Sequence, residues 1–461
     1  MKSIIVSLII LFFLVSISSC RKDSFITSPN ALLNTSVDTV RFDTVFTTTG
    51  SVTRSFKIFN KNNQKLRLNN VKLMGGFSSA FKMNVDGTPG TSFSSIEIEP
   101  NDSLYVFISV SINPSVANLP FMIQDSVLIN YNGNNRFVQL EAFGQNANFL
   151  RSRRITTDTT WNNNLPYVIL DSILVDNNVT LTINKGCRIY CHADAAIIIN
   201  GTLKVNGEKN DSTRVRFQGD RLDPAYKDFP GSWPGIIFTP GSKDNILNFA
   251  IIKNAYRGII TQLPSTNANF KITLNECIFD NIYDAGILSI NSSISAKNCL
   301  ITNCGYNVFL TAGGNYSFNY CTVASYGTYN LPHKNAALTL SNVSGNTTLQ
   351  LNAIFKNSII YGDGGNVDDE ILIDIQGNPT IVFDNILYKG KKDVRATGNV
   401  FKNFNPQFDS INISKPYFNF HLKSTSPAIN NGRDSTNALF DLDGKTRGQI
   451  NGLPDLGCYE F

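Results

Sequence analysis

Three stretches of the chain repeat one pattern: Asn275-Glu276-Cys277-Ile278-Phe279, Asn298-Cys299-Leu300-Ile301 and Asn319-Tyr320-Cys321-Thr322-Val323. Their cysteines recur every 22 residues, and a large apolar residue follows each cysteine two positions later. Because residues i and i+2 of a β-strand point to the same face, each stretch predicts a short strand with one buried side. A fixed period filled by strands is typical of a solenoid in which equivalent strands stack.

The same template extends in both directions with looser spacing, at 248–252 before the cysteines and at 357–360 and 384–387 after them. If coils stack about 4.8 Å apart, equivalent residues form inward-facing columns in a dry core. The predicted ladder of small residues consists of Ala250, Cys277, Cys299, Cys321 and Ser358. The predicted apolar column consists of Ile252, Phe279, Ile301, Val323, Ile360 and Leu387.

The composition supports strands and excludes nucleic acid as a partner. Asn, Thr, Ile, Val, Phe and Gly abound, and no sustained apolar pattern at i, i+3, i+4 and i+7 indicates a helix. The formal net charge of +5 is small for 461 residues and forms no dense basic stripe. The chain is also too long for one ordinary domain. We therefore expect an all-β protein of more than one domain.

The segment 1–19 is a predicted signal peptide, because Lys2 gives it a positive start and its apolar run is too short to span a bilayer. It leads into Ile17-Ser18-Ser19-Cys20, which resembles a bacterial lipobox. The resemblance implies lipidation of Cys20 and a lipid anchor in the outer membrane, facing the cell surface or the periplasm. An ordinary secretory signal that contains a cysteine is the alternative.

Residues 20–36 are polar and are predicted to form a tether, and residues 37–147 are predicted to form a β-sandwich. Apolar and polar residues alternate strictly over 104–112, as in a half-buried strand. Two further strand patterns flank Asn132-Gly133-Asn134-Asn135, a strong hairpin signal. This part resembles the immunoglobulin-like modules that precede larger domains in bacterial envelope proteins. It contains no catalytic constellation, so a spacer role is favoured over ligand binding.

The predicted solenoid occupies residues 150–425. Its opening contains alternating strand patterns with Gly201-Thr202-Leu203 and Trp233-Pro234-Gly235-Ile236. These units resemble the right-handed parallel β-helix proteins of the pectate-lyase-like superfamily, and specifically Bacteroidetes lipoproteins. The last segment, 426–461, resembles the tail that closes many bacterial β-helix surface proteins. The resemblance implies an immunoglobulin-like β-sandwich followed by a right-handed parallel β-helix solenoid.

Seven cysteines remain after Cys20, and an exported chain can form disulfides. The three cysteines of the repeated pattern share one inward column with alanine and serine, where parallel side chains are poorly aimed at one another. Buried free thiols are therefore favoured over disulfides. Cys187 and Cys191, beside His192, alternate like strand residues and lack a second pair at zinc-finger spacing, so a metal site is not favoured there.

The candidate catalytic residues follow from the resemblance. Parallel β-helix enzymes mostly act on polysaccharides in an outer groove, where a lyase needs a basic residue and usually calcium, and a hydrolase needs paired carboxylates. By register, Asp280 and Asp284 are expected to face outward near Lys253 and Arg257. A solvated face that carries the same charges is the alternative.

Calcium is the one cofactor that the sequence brings into consideration. The glycine-rich insertion 361–370 contains Asp363, Asp368, Asp369 and Glu370, whose hard oxygen atoms suit this ion. Their spacing does not match the calcium loop of an EF-hand, and a solvated loop is the alternative.

Aromatic and amide side chains at predicted outer positions and loops suit sugar binding; they are Asn303, Tyr306, Tyr316, Tyr320, Tyr326 and Tyr329. Because no catalytic set is recognisable, the sequence favours a cell-envelope lipoprotein that acts as a non-catalytic binding or scaffold protein, with glycans as the expected ligands. One alternative is a polysaccharide lyase or glycoside hydrolase that acts in an outer groove. Another is a structural adhesin that contacts a surface protein.

Overall fold

The computed structural model describes residues 24–47, 51–113, 121–414, 417–433, 438–448 and 452–461. The chain divides into two compact units, Met1–Asn146 and Ala147–Phe461. The signal peptide and Cys20 lie outside the described residues and stay predictions. A 3-10 turn spans Gly76–Ser78, and the described residues contain no α-helix. Within these ranges, no helix is long and apolar enough to cross a membrane.

The described residues of the first unit contain ten strands that form two five-stranded sheets, in the orders β1-β3-β8-β5-β6 and β2-β10-β9-β4-β7. The strands are β1 (Leu33–Thr35), β2 (Thr39–Phe46), β3 (Arg54–Asn60), β4 (Leu66–Leu73), β5 (Phe81–Val85), β6 (Thr88–Pro89), β7 (Ser92–Ile98), β8 (Ser103–Val110), β9 (Phe121–Tyr131) and β10 (Asn134–Gln145).

Both sheets of the first unit contribute to one buried core, which includes Ile58 and Ile108 from one sheet and Leu68 and Leu140 from the other. This arrangement is consistent with the predicted sandwich. The predicted hairpin is present, because Tyr131 pairs with Asn134 across a two-residue turn. Asn132 and Gly133 both have positive φ there, as a type I′ turn requires.

The predicted tether differs from the structure. Its described part, from Ser24 onward, includes β1, which pairs with β3 and buries Leu33. The ring of Phe25 also lies against the guanidinium of Arg67, 4.1 Å from the ring centroid. Apolar side chains within a polar stretch thus add an edge strand to the first unit, and the folded part begins before residue 37.

The second unit contains one 23-stranded sheet and two small hairpins. The strands of the large sheet are β11 (Asn148–Ile155), β12 (Thr159–Trp161), β13 (Tyr167–Val175), β14 (Thr180–Asn184), β15 (Arg188–Cys191), β16 (Ile197–Ile199), β17 (Thr202–Asn206), β18 (Val215–Gly219), β19 (Ile236–Phe238), β20 (Asn245–Asn248), β21 (Ala250–Lys253), β22 (Arg257–Gln262), β23 (Ile272–Asn275), β24 (Ile278–Asp280), β25 (Ala285–Lys297), β26 (Leu300–Thr302), β27 (Tyr306–Asn319), β28 (Thr322–Ser325), β29 (Leu338–Ser341), β32 (Leu351–Gly362), β33 (Ile371–Asp374), β34 (Thr380–Tyr388) and β35 (Thr397–Lys402). The hairpins are β30 (Val343–Ser344) with β31 (Thr347–Thr348), and β36 (Phe408–Asn412) with β37 (Tyr417–Leu422).

Strands of the large sheet pair in parallel with the equivalent strand of the next coil, so that the sheet winds in three columns. The first column contains β14, β17, β20 and β23, the second contains β15, β18, β21, β24, β26 and β28, and the third contains β16, β19 and β22. From β25 onward, longer strands bend to serve two columns each. We call this sheet the coiled sheet; it is large, parallel and solenoid-like.

The predicted inward columns lie in the second column of the coiled sheet. Phe279 pairs with Ile301 and Ile301 with Val323, and all three side chains are buried in one core. The last coil departs from the prediction by one residue, because Ile360 pairs with Tyr388 rather than with Leu387. Leu387 instead points outward into a separate buried cluster.

The corner between the first and second columns is a left-handed turn. Glu276, Asn298, Tyr320 and Asn357 occupy equivalent places there, and each has a φ between 50° and 53°. Asparagine tolerates this conformation well and occupies it in two of these coils, at Asn298 and Asn357, whereas Asn275 and Asn319 are the last residues of the preceding strands.

The C-terminal segment covers the outer face of the second column. Its residues Phe420, Leu442 and Leu456 share a buried cluster with Leu300 and Ile359, which point outward from the coiled sheet. The coiled sheet therefore ends at Lys402, well before residue 425. The described residues after Lys402 form a second layer along the side of the sheet, which we call the covering layer.

Candidate functional site

The corner between the second and third columns carries a group of exposed and half-buried aromatic and charged side chains. We call this surface the aromatic corner and define it by Arg221, Tyr226, Phe229, Lys253, Tyr256, Arg257, Asp280, Tyr283, Asp284, Tyr306 and Phe309. These residues lie at the ends of second-column strands, at the starts of third-column strands, and in the loop 220–235 that joins β18 to β19.

The loop 220–235 is fixed over two coils by buried amides. Asn254 donates from Nδ2 to the carbonyl of Lys227 over 2.6 Å, and Asn281 donates from Nδ2 to the carbonyl of Asp228 over 2.8 Å. Asn281 also donates to Oδ1 of Asn254 over 2.8 Å, so that the two asparagines form a ladder between coils. The aromatic corner is therefore a built surface on a rigid support.

Two pairs of aromatic rings stack at this corner. The rings of Tyr256 and Tyr283 lie 5.4 Å apart, and their side chains are 44% and 51% exposed. The rings of Tyr306 and Phe309 lie 5.0 Å apart and are half-buried. In the loop 220–235, the guanidinium of Arg221 lies 3.7 Å from the ring centroid of Tyr226.

The four residues proposed as catalytic candidates come together here as two ion pairs. Nζ of Lys253 lies 3.4 Å from Oδ2 of Asp280, and Nε of Arg257 lies 2.5 Å from Oδ2 of Asp284. The register of parallel coils produces these pairs, since Lys253 faces Asp280 across β21 and β24. A third carboxylate, that of Asp228, lies 3.6 Å from Lys253.

The state of Lys253 does not suit a catalytic base. Burial works to lower its pKa, but the charges of Asp280 and Asp228 outweigh burial and raise the pKa above the usual value. Lys253 is thus held protonated, whereas proton abstraction requires the neutral amine.

The four predicted calcium ligands do not converge on one point. Asp363 pairs with Lys389 and Asp368 with Lys391, while Asp369 accepts a hydrogen bond from the backbone of Lys392. Glu370 turns inward instead. The described residues contain no group of three or more His, Cys, Asp or Glu side chains that could hold a metal ion. The four side chains have separate partners because nearness in a loop does not aim side chains at one point; calcium binding by them stays a prediction.

Glu370 forms a buried pair that the sequence analysis missed. Its Oε1 lies 2.9 Å from Nε2 of His333, and its Oε2 accepts a hydrogen bond from the backbone N–H of Ala337 over 3.1 Å. Nδ1 of His333 has no hydrogen-bond partner within the described residues. The pair links two loops 37 residues apart, for which sequence spacing gives no signal.

A cleft of about 470 Å³ opens beside Asp363, and the sequence analysis missed it as well. Its lining includes Tyr326, Gln407, Phe408 and Lys423, so it lies between the coiled sheet and the covering layer. One carboxylate lines it, and that carboxylate is already paired with Lys389. The cleft therefore lacks the two carboxylates that glycoside hydrolysis ordinarily uses.

The ladder of small residues is structural. The thiols of Cys277, Cys299 and Cys321 are free and fully buried, and each donates to the backbone carbonyl two residues earlier at 3.3–3.5 Å. The hydroxyl of Ser358 makes the same bond at 2.6 Å. Burial raises the pKa of Cys277 and Cys321 well above the usual range, which keeps these thiols protonated and unreactive.

The remaining candidates are distributed between core and surface. Cys187 and Cys191 are buried in the core, and His192 lies outside with Asp220, 2.7 Å from Nδ1. Four predicted outer residues are buried instead: Asn303, Tyr316, Tyr320 and Tyr326. Tyr316 faces inward into the core of the coiled sheet, whereas Tyr320 and Tyr326 are enclosed by residues after Lys402. Tyr329 is 95% exposed.

Comparison with known proteins gives no family. No protein-family profile matches the chain, and no curated protein matches it. Among solved structures, a partial match is a family 123 glycoside hydrolase from Clostridium perfringens, described for glycolipid glycan hydrolysis. It has 12% identity and a TM-score of 0.19, and the match covers 28% of this chain and 26% of that chain. A likeness this weak informs neither the fold nor the function.

Proposed function

We propose that this protein is a cell-envelope lipoprotein that binds glycans without catalysing their cleavage. In this proposal Cys20 carries the lipid anchor at the outer membrane, the first unit is an immunoglobulin-like β-sandwich, and the coiled sheet is a right-handed parallel β-helix. The aromatic corner is the binding surface.

The stacked and exposed pair Tyr256 and Tyr283 carries the proposal. Stacking removes part of each ring from water, but about half of each side chain stays exposed on a rigid support. The C–H face of a sugar ring packs well on such an aromatic face, and the neighbouring carboxylates and guanidinium groups can hydrogen-bond its hydroxyls.

The charges of the corner favour binding over catalysis. A lyase needs a neutral base, and Lys253 is held protonated between two carboxylates. The carboxylates of Asp280 and Asp284 each form an ion pair with a cation one coil away, so each is already engaged by a partner within the protein.

A glycan array tests the proposal. The full chain in mild detergent is expected to bind a subset of glycans, and Tyr256→Ala with Tyr283→Ala is expected to weaken that binding at least about tenfold, since each stacked ring contributes on the order of 1 kcal/mol. Tyr329→Ala, which removes an exposed ring elsewhere, is the matched control and should bind like the unchanged chain. Binding that survives the double substitution would reject the aromatic corner.

A further inference from the structure

We infer that the aromatic corner binds an uncharged, linear glycan that runs along the axis of the coiled sheet, and that it discriminates against polyanionic glycans such as polyuronates. This inference rests on the proposed function and specifies its ligand.

The direction of the ligand follows from the ladder of coils. The backbone N–H of Asp284 donates to the carbonyl of Tyr256 over 2.8 Å, and the backbone N–H of Tyr306 donates to the carbonyl of Asp284 over 2.6 Å. The aromatic residues of three successive coils therefore follow one another along the axis, at the spacing of adjacent parallel strands, about 4.8 Å. An extended chain that lies along the axis meets all three coils, whereas a chain across the axis meets one.

The line of aromatic residues leads to a second group of apolar residues on the outside of the third column. Tyr306 and Phe309 pack with Ile260, Leu288 and Ala285 in a small outer cluster. Ile260 pairs with Leu288, and Leu288 pairs with Phe309, so this cluster also extends along the axis. Ile260, Leu288 and Ala285 are buried, so the half-buried rings of Tyr306 and Phe309 form the surface of this face. Aromatic rings suit the C–H faces of consecutive sugars and offer nothing to a carboxylate.

The loop 220–235 lies directly beside this line of aromatic residues. A side chain at Gly231 would place its Cβ 3.3 Å from Cβ of Tyr283, and the φ of +78° at Gly231 strains any other residue. The loop backbone thus lies directly beside the tyrosine pair. The ligand is expected to pass between this loop and the outer face of the third column.

The charge balance disfavours a polyanion. Lys253 faces Asp228 and Asp280, Arg257 faces Asp284, and Arg221 faces Asp223. With Asp220 and Lys227 of the same loop, four cations against five carboxylates leave one net negative charge over the surface. A uronate chain would therefore meet carboxylates on successive coils and could gain a cation only by displacing an existing partner.

Calorimetric titration of the full chain, in mild detergent and at low salt, tests the inference. One series of ligands consists of neutral β-1,4-linked oligosaccharides, and the other consists of oligouronates of matched length. Both series run from disaccharide to octasaccharide. The affinity for the neutral series is expected to rise with length until the chain covers three coils. Oligouronates of equal length are expected to bind at least about tenfold more weakly. Equal or tighter binding of the uronates, or an affinity independent of length, would overturn the inference while leaving the proposed function in place. Binding of no glycan in either series would overturn both.

A charge variant provides a second arm. The combined substitution of Asp280→Asn and Asp284→Asn leaves Lys253 and Arg257 with fewer counter-charges, so the ratio of oligouronate affinity to neutral-oligosaccharide affinity is expected to rise about tenfold or more. Asp368→Asn, on the acidic insertion, is the matched control and should leave this ratio unchanged. An unaltered preference between the two series in the double variant would contradict the role assigned to these carboxylates.

Discussion

The rings of Tyr256 and Tyr283 stack one coil apart on the outside of the coiled sheet, with centroids 5.4 Å apart and an interplanar angle of 26°. Neither ring belongs to the core, whose columns are filled by residues such as Ile259 and Phe279. Rigidly held aromatic surface that the core does not need is typical of an interaction site. The predictions below separate that surface from the residues that hold the fold.

Arg447 is expected to hold the covering layer on the coiled sheet. Its side chain is 0% exposed, pairs with Glu460 at 3.2 Å, and donates to Oδ1 of Asn298 over 2.8 Å. Arg447→Ala leaves the carboxylate of Glu460 buried without its partner, so the free energy of unfolding should fall by about 3–5 kcal/mol. Urea titration measures this loss, and limited proteolysis should cut the segment after residue 403.

Arg154→Ala is the control for Arg447, because the side chain of Arg154 is largely exposed and its pair with Asp176 should be worth about 1 kcal/mol or less. If both variants lose the same stability, the covering layer does not depend on Arg447.

The cysteine ladder is expected to tolerate small hydrogen-bond donors and to reject larger side chains. Cys299→Ser keeps a donor to the carbonyl of Lys297, as Ser358 does in its own coil, and should cost about 1 kcal/mol. Cys299→Leu overfills a packed column and should cost about 1–3 kcal/mol. Thermal and chemical unfolding measure both changes.

Alkylation followed by mass spectrometry gives a second readout of the ladder. The seven cysteines of the described ranges are all free and buried, and they should stay unmodified in the native chain and react after denaturation. Rapid native labelling of Cys277, Cys299 or Cys321 would show that the column is open.

Lys271 is expected to make stability rise with pH above about 8. Its side chain is buried, and burial lowers its pKa to about 8, while its ammonium donates to the carbonyls of Thr239 and Pro240. Between this value and the ordinary lysine pKa of about 10.4, the unfolded state binds more protons than the folded state, so the free energy of unfolding increases with pH.

The matched variant for this test is Lys271→Met, which should lack that rise and be at least as stable as the unchanged chain at neutral pH. Urea titrations at neutral and alkaline pH give the free energy of unfolding of both proteins. The difference between the two proteins at each pH removes the contributions of the other titratable groups. A difference that stays constant with pH would contradict a depressed pKa at Lys271.

The insertion after Ile360 is expected to depend on Glu370 and not on calcium. Glu370→Ala leaves the backbone N–H of Ala337 and the ring of His333 buried without their partner, and each loss costs about 1–3 kcal/mol. Asp368→Ala, which breaks an exposed pair with Lys391, should change stability by less than about 1 kcal/mol. Calcium should not raise the melting temperature of the unchanged chain or of either variant. A clear increase would show that the carboxylates converge on an ion.

Much of the coiled sheet could be predicted because its contacts repeat at a fixed spacing. The register between adjacent coils places Cys277 over Ala250 and Asp280 beside Lys253. Alternation within each strand then determines which residues join the inward column and which form outer ion pairs. The last coil was misplaced by one residue, because Asn385 forms a left-handed turn and the core position falls on Ile386. A one-residue shift exchanges the two faces of a strand, which is why Leu387 points outward.

The covering layer could not be predicted, because its contacts have no period. Asn298 donates to the carbonyl of Phe440, 142 residues away, and Arg447 donates to Asn298 across 149 residues. Such contacts depend on how an irregular segment packs rather than on alternation. The stacking of Tyr256 on Tyr283 could be predicted only in part. The spacing of the coils brings the two residues together, but the position of the loop 220–235 beside them has no repeat in the sequence.

Hydroxyl-radical footprinting of the full chain, with and without a neutral oligosaccharide selected on the glycan array, tests the central claim most directly. Oxidation of Tyr256 and Tyr283 is expected to fall several-fold when the ligand binds, while oxidation of the fully exposed Tyr329 should not change. Protection of Tyr329 or of other surfaces, with Tyr256 and Tyr283 still oxidised at the unbound rate, would contradict the assignment of the aromatic corner as the binding surface.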